Sequence, residues 1–128
     1  MIGAVGITLL LAGCTPQQST KDACGQMTIA VTAIGNDLTA AEATIGTDQA
    51  KGQKQFRALA DKFTASEKKI TNSDVKPKAD KIESNLHQLV TAINLQVSKP
   101  STAHSKSVTT LSTKLQKALT DLGTVCTG

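Results

Sequence analysis

The stretch that decides the fold runs from Val75 to Val97 and reads VKPKADKIESNLHQLVTAINLQV. Its apolar residues recur every three or four positions, which places them along one face of an α-helix. Pro77 falls within the first turn, where a missing N–H breaks no hydrogen bond, and Pro100 stops the helix. We expect Ser73 or Asp74 to cap the first turn. The apolar face comprises Val75, Ala79, Ile82, Leu86, Leu89, Val90, Ile93 and Val97.

Three further segments around this helix show the same spacing. The first runs from Met27 to Ile45 and keeps its phase across Gly35, so we expect one helix that ends at Gly46. The second begins after Gly52, and the last begins at Ser101 or the residue after it. Their apolar faces comprise Met27, Val31, Ile34, Leu38, Ala41 and Ile45; Phe56, Leu59, Ala60, Phe63 and Ile70; and Val108, Leu111, Leu115, Ala118, Leu119, Leu122 and Val125.

Together the four segments predict an all-α fold, an up-down-up-down four-helix bundle over residues 23–128. Each helix has about 20 residues and a length of roughly 30 Å. In this topology both termini of the bundle lie at one end, together with the connection between the second and third helices. We call this the tethered end, because residues 14–22, which are described below as a tether, enter the bundle there. The loops over 46–54 and 98–106 lie at the opposite, distal end.

The composition is mildly basic and very poor in aromatic residues. Lys and Arg number 14 against 10 Asp and Glu, a net charge of +4 that by itself implies no nucleic-acid partner. Phe56 and Phe63 are the only aromatic residues in the sequence. Because single-stranded nucleic acid is commonly bound by stacking on exposed aromatics, we expect no nucleic-acid partner.

An apolar run from Ile2 to Leu11 leads into the tetrapeptide Leu11-Ala12-Gly13-Cys14. The run has about the length of a signal-peptide h-region and is too short for a membrane-spanning helix. The tetrapeptide resembles the lipobox of bacterial lipoproteins, whose cysteine is acylated and becomes the first residue. The resemblance implies a signal peptide over 1–13, fatty acyl chains such as palmitate on Cys14, and an extracytoplasmic protein anchored to the bacterial cell membrane.

The flanks of the lipobox complete this interpretation. Residues 1–13 lack the Lys or Arg with which a signal peptide opens, so either the start codon lies further upstream or the basic start has been trimmed. Residues 14–22 are polar and contain Pro16, which predicts a flexible tether, and the resemblance to a lipobox implies that this tether is lipidated. In composition and layout, the helical body resembles small helical-bundle lipoproteins of actinobacterial envelopes.

With Cys14 assigned to lipid, Cys24 and Cys126 remain. In an exported, oxidising compartment such a pair is usually bridged, and both cysteines lie at the tethered end of the predicted bundle. The alternatives are two buried thiols or a metal pair. The only histidines, His87 and His104, have no partners at ligand spacing and are expected to be ordinary surface residues. We therefore predict a disulfide, no metal and no cofactor.

The stretch from Lys62 to Lys81 is the most basic part of the chain, with six lysines against three carboxylates. One hypothesis is that these lysines contact anionic lipid headgroups at the tethered end. The alternative is a solvated helix face of mixed charge. The residues proposed for headgroup contact are Lys68, Lys69, Lys76, Lys78 and Lys81.

No motif in the sequence points to catalysis. It contains no Gly-x-Ser-x-Gly turn, no Gly-rich phosphate loop and no His-x-x-Glu cluster. We therefore expect a non-enzymatic interaction or scaffold module with an envelope protein as partner. The alternative is a carrier of an apolar ligand such as a lipid, for which the alanine-rich first helix could leave room between the helices.

Overall fold

The computed structural model describes residues 17–128, and over this range the chain forms a four-helix bundle without strands. The predicted all-α architecture is therefore confirmed, and Gly35 lies inside one unbroken helix. Cys14 and the predicted signal peptide fall outside the described residues. The helices are α1 (Thr20–Ile45), α2 (Gln49–Glu67), α3 (Lys76–Ser98) and α4 (Thr102–Thr127).

Packing follows the order of the helices along the chain. α1 packs on α2, α2 on α3 and α3 on α4, whereas α1 and α4 meet over a much shorter stretch. The side of the bundle between α1 and α4 is consequently less closed than the others. Most of the half-buried apolar residues that pack on the core belong to these two outer helices, while Ile93 belongs to α3. The residues on the outer helices are Val31, Leu38, Ile45, Val108, Leu111, Leu119, Val125 and Cys126.

The fully buried core is centred on α2 and α3. Phe56 and Phe63 of α2 are each 1% exposed, and Ile82 of α3 is completely buried. Burying a large apolar side chain contributes about 1.5–3 kcal/mol, so these residues are a main source of stability. The core also reaches the tethered end, where Ile70 and Val75 of the α2–α3 loop are 2% and 0% exposed.

Side-chain caps fix the starts of three helices. The hydroxyl of Ser19 accepts a hydrogen bond from the Asp22 N–H at 3.0 Å, and that of Ser101 accepts one from the His104 N–H at 3.0 Å. The carboxylate of Asp48 does the same for α2. Such caps satisfy backbone donors that have no partner inside the helix, and each stabilises a helix by about 1 kcal/mol.

Gly52 lies inside α2, so the prediction that this helix begins after Gly52 is wrong. A Cβ atom at position 52 would lie 2.6 Å from both the Cα and the Cβ of Ile45 at the end of α1. Only glycine allows the two backbones to approach this closely where the chain reverses. The glycine is thus explained by helix packing and not by a helix boundary.

We predict that Gly52→Ala destabilises the bundle by about 1–3 kcal/mol, because the added methyl group overpacks the α1–α2 contact. Gly35→Ala is the matched control, since a Cβ there meets nothing within 4 Å. That change should stabilise the bundle by up to about 1 kcal/mol through better helix propensity. Urea unfolding of both variants measures the effects, and two shifts of the same sign would contradict the packing role of Gly52.

Cys24 of α1 and Cys126 of α4 form a disulfide, as predicted, with their Cα atoms 5.6 Å apart. The two residues are 102 positions apart in the sequence. Since α1 and α4 share few other contacts, the bridge is the principal link between the first and last helices.

We predict that Cys24→Ser/Cys126→Ser melts clearly below the wild type while keeping its helical circular-dichroism spectrum. A cross-link that closes a loop of this size contributes about 4.7 kcal/mol in the chain-entropy model, out of roughly 5–15 kcal/mol for a small domain. Thermal unfolding measures the change. Peptide mapping without reductant is the companion test, and free thiols at both positions in oxidised protein would contradict the bridge.

Candidate functional site

The first described residues are hydrogen-bonded to the α2–α3 loop at the tethered end. The Gln18 N–H donates to the Thr71 hydroxyl at 3.3 Å, and the Thr71 N–H donates to the Gln18 Oε1 at 3.2 Å. Gln17 Nε2 donates to the Thr71 carbonyl at 3.2 Å. We name Gln17, Gln18, Thr71 and Asn72 the N-terminal clamp.

Asn72 is the buried member of the clamp, with 7% of its surface exposed. Its Nδ2 donates to the Gln18 carbonyl at 2.9 Å and to the Thr20 hydroxyl at 3.2 Å. Its Oδ1 accepts from the N–H groups of Asp74 and Val75, at 2.9 and 3.0 Å. The amide thus uses two donors and two acceptor positions, and it joins the start of α1 to the loop that precedes α3.

Two predictions about this end need correction. Neither Ser73 nor Asp74 caps α3, because Asn72 receives the backbone donors ahead of that helix. An asparagine fits this position because its amide both accepts and donates, whereas a carboxylate only accepts. The predicted flexible tether over 14–22 is not seen in its described part, since hydrogen bonds hold Gln17 and Gln18 and α1 already begins at Thr20.

The five lysines proposed for headgroup contact lie in different environments. Lys68 and Lys69 are exposed immediately after α2, beside the clamp. Lys78 and Lys81 lie in the first two turns of α3, where Lys78 is half-buried and Lys81 is exposed. The structure therefore places two of the five in the α2–α3 loop and two in the first turns of α3, which also begins at the tethered end.

Lys76, the fifth, is engaged in an ion-pair cluster. Its ammonium group binds the carboxylate of Glu67 and lies 3.0 Å from Asp80 Oδ1. Glu67 is only 4% exposed. Because Glu67 is buried and Lys76 lies between its carboxylate and that of Asp80, the ammonium of Lys76 is engaged within the bundle and not directed to headgroups.

The three charges of this cluster shift one another's pKa values. Burial raises the pKa of Glu67 above its ordinary 4.5, and the hydrogen bond with Asp80 adds to the rise. The same hydrogen bond from Glu67 lowers the pKa of Asp80. The hydrogen bond to Glu67 raises the pKa of Lys76, so the ammonium stays charged throughout the range in which the carboxyls titrate.

We predict that the stability difference between the wild type and Glu67→Gln falls as the pH rises. Because the pKa of Glu67 is raised in the folded state, its contribution is fully present below about 4.5 and is lost as the pH passes the folded pKa. Glutamine does not titrate, so urea unfolding of both proteins at a series of pH values isolates this carboxyl.

Asp80→Asn is the control of opposite sign for this titration. The lowered pKa of Asp80 means that its contribution is present above about 3.8 and is lost as the pH falls through the folded pKa. The stability of the wild type relative to Asp80→Asn should therefore increase as the pH rises through that range. A difference between the wild type and Glu67→Gln that does not change with pH would contradict the raised pKa of Glu67.

A second polar cluster links α2 to α3. The Thr64 hydroxyl lies 2.7 Å from His87 Nε2 and 3.2 Å from Glu83 Oε1, and it also donates to the Ala60 carbonyl. A catalytic hydroxyl–histidine–carboxylate arrangement needs the carboxylate on the other ring nitrogen, Nδ1. Here Glu83 lies 3.6 Å from the same Nε2, so this trio cross-links two helices and is not arranged as a nucleophile relay.

A groove of about 520 Å³ lies between α2 and α3 on the side of the distal end. Arg57, His87 and Asn94 are among the residues that line it. The Asn94 Oδ1 is buried without a hydrogen-bond partner, while Gln53 Nε2 donates to the Asn94 carbonyl at 3.3 Å. The wall mixes charged, amide and apolar groups, which does not favour an acyl chain.

A smaller groove of about 190 Å³ lies between α1 and α4 beside the disulfide. Met27, Val31 and Leu122 form much of its apolar wall. Its volume is below the roughly 300–1,000 Å³ of typical small-molecule pockets. The shorter contact between α1 and α4 explains why a groove opens on this side of the bundle.

His104 belongs to the first turn of α4, where its Nδ1 lies 2.6 Å from the Lys99 carbonyl. Among residues 17–128, no group of three or more His, Cys, Asp or Glu side chains is placed to hold a metal ion. Within the same range, none of the helices is long and apolar enough to cross a membrane.

The sequence analysis did not predict two features of the tethered end, the N-terminal clamp and the pairing of Lys76 with Glu67. The clamp leaves no local signal in the sequence, because Gln17 and Thr71 lie 54 positions apart. The pairing of Lys76 with Glu67 joins residues on either side of the α2–α3 loop and leaves no periodic signal in the sequence.

The chain matches none of the protein-family models, curated proteins or solved structures with which it was compared.

Proposed function

We propose that the chain is a lipid-anchored cell-envelope protein whose bundle acts as a non-enzymatic interaction or scaffold module. It is held on the outer side of the bacterial cell membrane by acylated Cys14. The observation that carries the proposal is the position of Gln17, three residues after Cys14, against the α2–α3 loop. The anchor then belongs to the tethered end, and the opposite end points away from the membrane.

The lipid is sufficient to explain stable attachment. Each methylene buried in the bilayer contributes about 0.8 kcal/mol, and one acyl chain alone gives only reversible binding. Lipoproteins of the type that the lipobox resembles carry two or three chains on the cysteine. The disulfide between Cys24 and Cys126 also fits this location, because such bridges persist in oxidising compartments outside the cytoplasm.

The distal end is suited to meeting a partner. Both of its loops, residues 46–48 and 99–101, are exposed. Side-chain amides order this end: Gln49 Nε2 donates to the Val97 carbonyl at 2.8 Å, and Gln53 Nε2 donates to the Ser98 hydroxyl at 2.9 Å. An ordered surface loses less entropy on binding than a mobile one, which favours recognition of a protein partner here.

The interaction module is preferred over the carrier of an apolar ligand for a specific reason. Helices α2 and α3 meet through closely packed side chains, with Phe56, Phe63 and Leu86 each 1% exposed. The apolar groove beside the disulfide is below the size of typical ligand pockets, and the larger α2–α3 groove has a mixed polar wall.

We predict that Cys14 is acylated when the chain is expressed with a complete signal peptide in a bacterial host. Intact-mass analysis should find a chain that begins at Cys14 and carries added acyl mass, located in the membrane fraction. Cys14→Ala should remain unprocessed. A mature N-terminus at another residue, or an unlipidated Cys14 in exported protein, would contradict the proposed anchor.

The interaction role is tested by photo-crosslinking in the anchored protein. A photoreactive residue at Thr47 or Pro100 should capture one envelope protein, because both positions are exposed at the distal end. The matched control is Thr113, which is exposed on the side of α4. Absence of capture at the distal positions, or the same capture at Thr113, would contradict recognition through the distal end.

A further inference from the structure

The N-terminal clamp leaves almost no free chain between the proposed anchor and the folded bundle. Only Thr15 and Pro16 separate Cys14 from Gln17. A chain spans at most about 3.6 Å per residue, so the Cα atoms of Cys14 and Gln17 are within roughly 11 Å of each other in any conformation. The clamp joins Gln17 and Gln18 directly to Thr71, which fixes the α2–α3 loop near the anchor as well.

We infer that the tethered end is a membrane-contact surface that rests on anionic lipid headgroups and holds the bundle upright. This inference rests on the proposed acylation of Cys14. An acylated cysteine lies at the headgroup level, and the headgroup layers of a bilayer add roughly 5–8 Å on each side of the hydrocarbon core. A reach of about 11 Å therefore brings the α2–α3 loop to the membrane surface.

The side chains at this end fit such a surface. Lys68 and Lys69 are exposed next to the clamp, and Lys21 is exposed in the first turn of α1. Two exposed carboxylates, Asp22 and Asp74, share the same end, so the attraction depends on the placement of the lysines and not on a large net charge. Lys76 takes no part, because it is bound to Glu67.

The clamp also sets the direction in which the bundle points. α1 has 26 residues, which corresponds to a length of about 39 Å. With the tethered end fixed at the surface, the distal loops stand about 40 Å from the headgroups. A flexible tether through residue 22 would instead let the bundle tilt and bring its distal loops close to the membrane.

The test uses the mature chain with its lipid. If acylation of Cys14 fails, the proposed function falls, but the inference is still tested by coupling a maleimide lipid to Cys14, since Cys24 and Cys126 are bridged. The protein is placed in vesicles of phosphatidylcholine with or without phosphatidylglycerol. Energy transfer from a dye at Thr47 to a labelled lipid reports the height of the distal end, and hydrogen exchange reports protection of residues 68–74.

We expect a single narrow distance near 40 Å for the wild type, which follows from the length of α1. Gln17→Ala/Gln18→Ala/Thr71→Val should broaden this distance and shift its mean toward the membrane. The matched control, Gln26→Ala/Gln116→Ala/Thr113→Val, changes the same residue types at exposed positions outside the clamp and should leave the distance unchanged. A wild-type distance as broad as that of the clamp variant would overturn the inference.

The headgroup contact is tested by reversing charge at one end of α2 at a time. Phosphatidylglycerol should slow exchange in residues 68–74 of the wild type, and Lys68→Glu/Lys69→Glu should abolish this protection. Lys51→Glu/Lys54→Glu reverses the charge of two exposed lysines at the distal end of α2, and this variant should keep the protection of residues 68–74. The contact with anionic headgroups would be overturned if phosphatidylglycerol did not slow exchange in residues 68–74 of the wild type. It would also be overturned if both variants lost this protection equally.

Discussion

Closure of the bundle depends on the bond between Cys24 and Cys126. The helices pack in the order in which they follow one another, and the contact between the first and the last is short. The disulfide holds these two outer helices together at the tethered end, with their Cα atoms 5.6 Å apart. The partial burial of apolar residues on α1 and α4 has the same origin, because each packs closely against one sequential neighbour only.

Different interactions stabilise the two ends of the molecule. The difference agrees with the proposed roles of membrane attachment at the tethered end and partner recognition at the distal end. At the tethered end, burial of Ile70 and Val75, the four hydrogen bonds of Asn72 and the ion pair of Lys76 with Glu67 fix the loop. At the distal end, glutamine amides tie α2 to the end of α3 while both loops stay exposed. A fixed base and an exposed tip suit a protein that presents a surface away from a membrane.

Helical periodicity was sufficient to predict the four helices and the all-α bundle, because the spacing of apolar residues is a local property. The predictions that failed depend on contacts between distant residues. Gly52 was taken as a boundary, yet its role is set by Ile45 across the α1–α2 turn. Lys76 was grouped with the other lysines because burial of Glu67 leaves no mark in a charge pattern. The acylation of Cys14 remains a prediction from the lipobox.

The long separation of the bridged cysteines bears on how the protein matures. Local helix–helix contacts form early, since folding is fast where contacting residues are close in the chain. A bond across 102 positions can form only when the last helix has arrived, so oxidation completes folding instead of initiating it. Until then Cys24 has a nearer thiol at Cys14, 10 positions away, and closing that smaller loop costs less entropy by about 2 kcal/mol. If Cys14 is acylated as proposed, its thiol can no longer form a disulfide with Cys24. Acylation then has a second effect besides membrane anchoring, because it leaves Cys126 as the partner of Cys24.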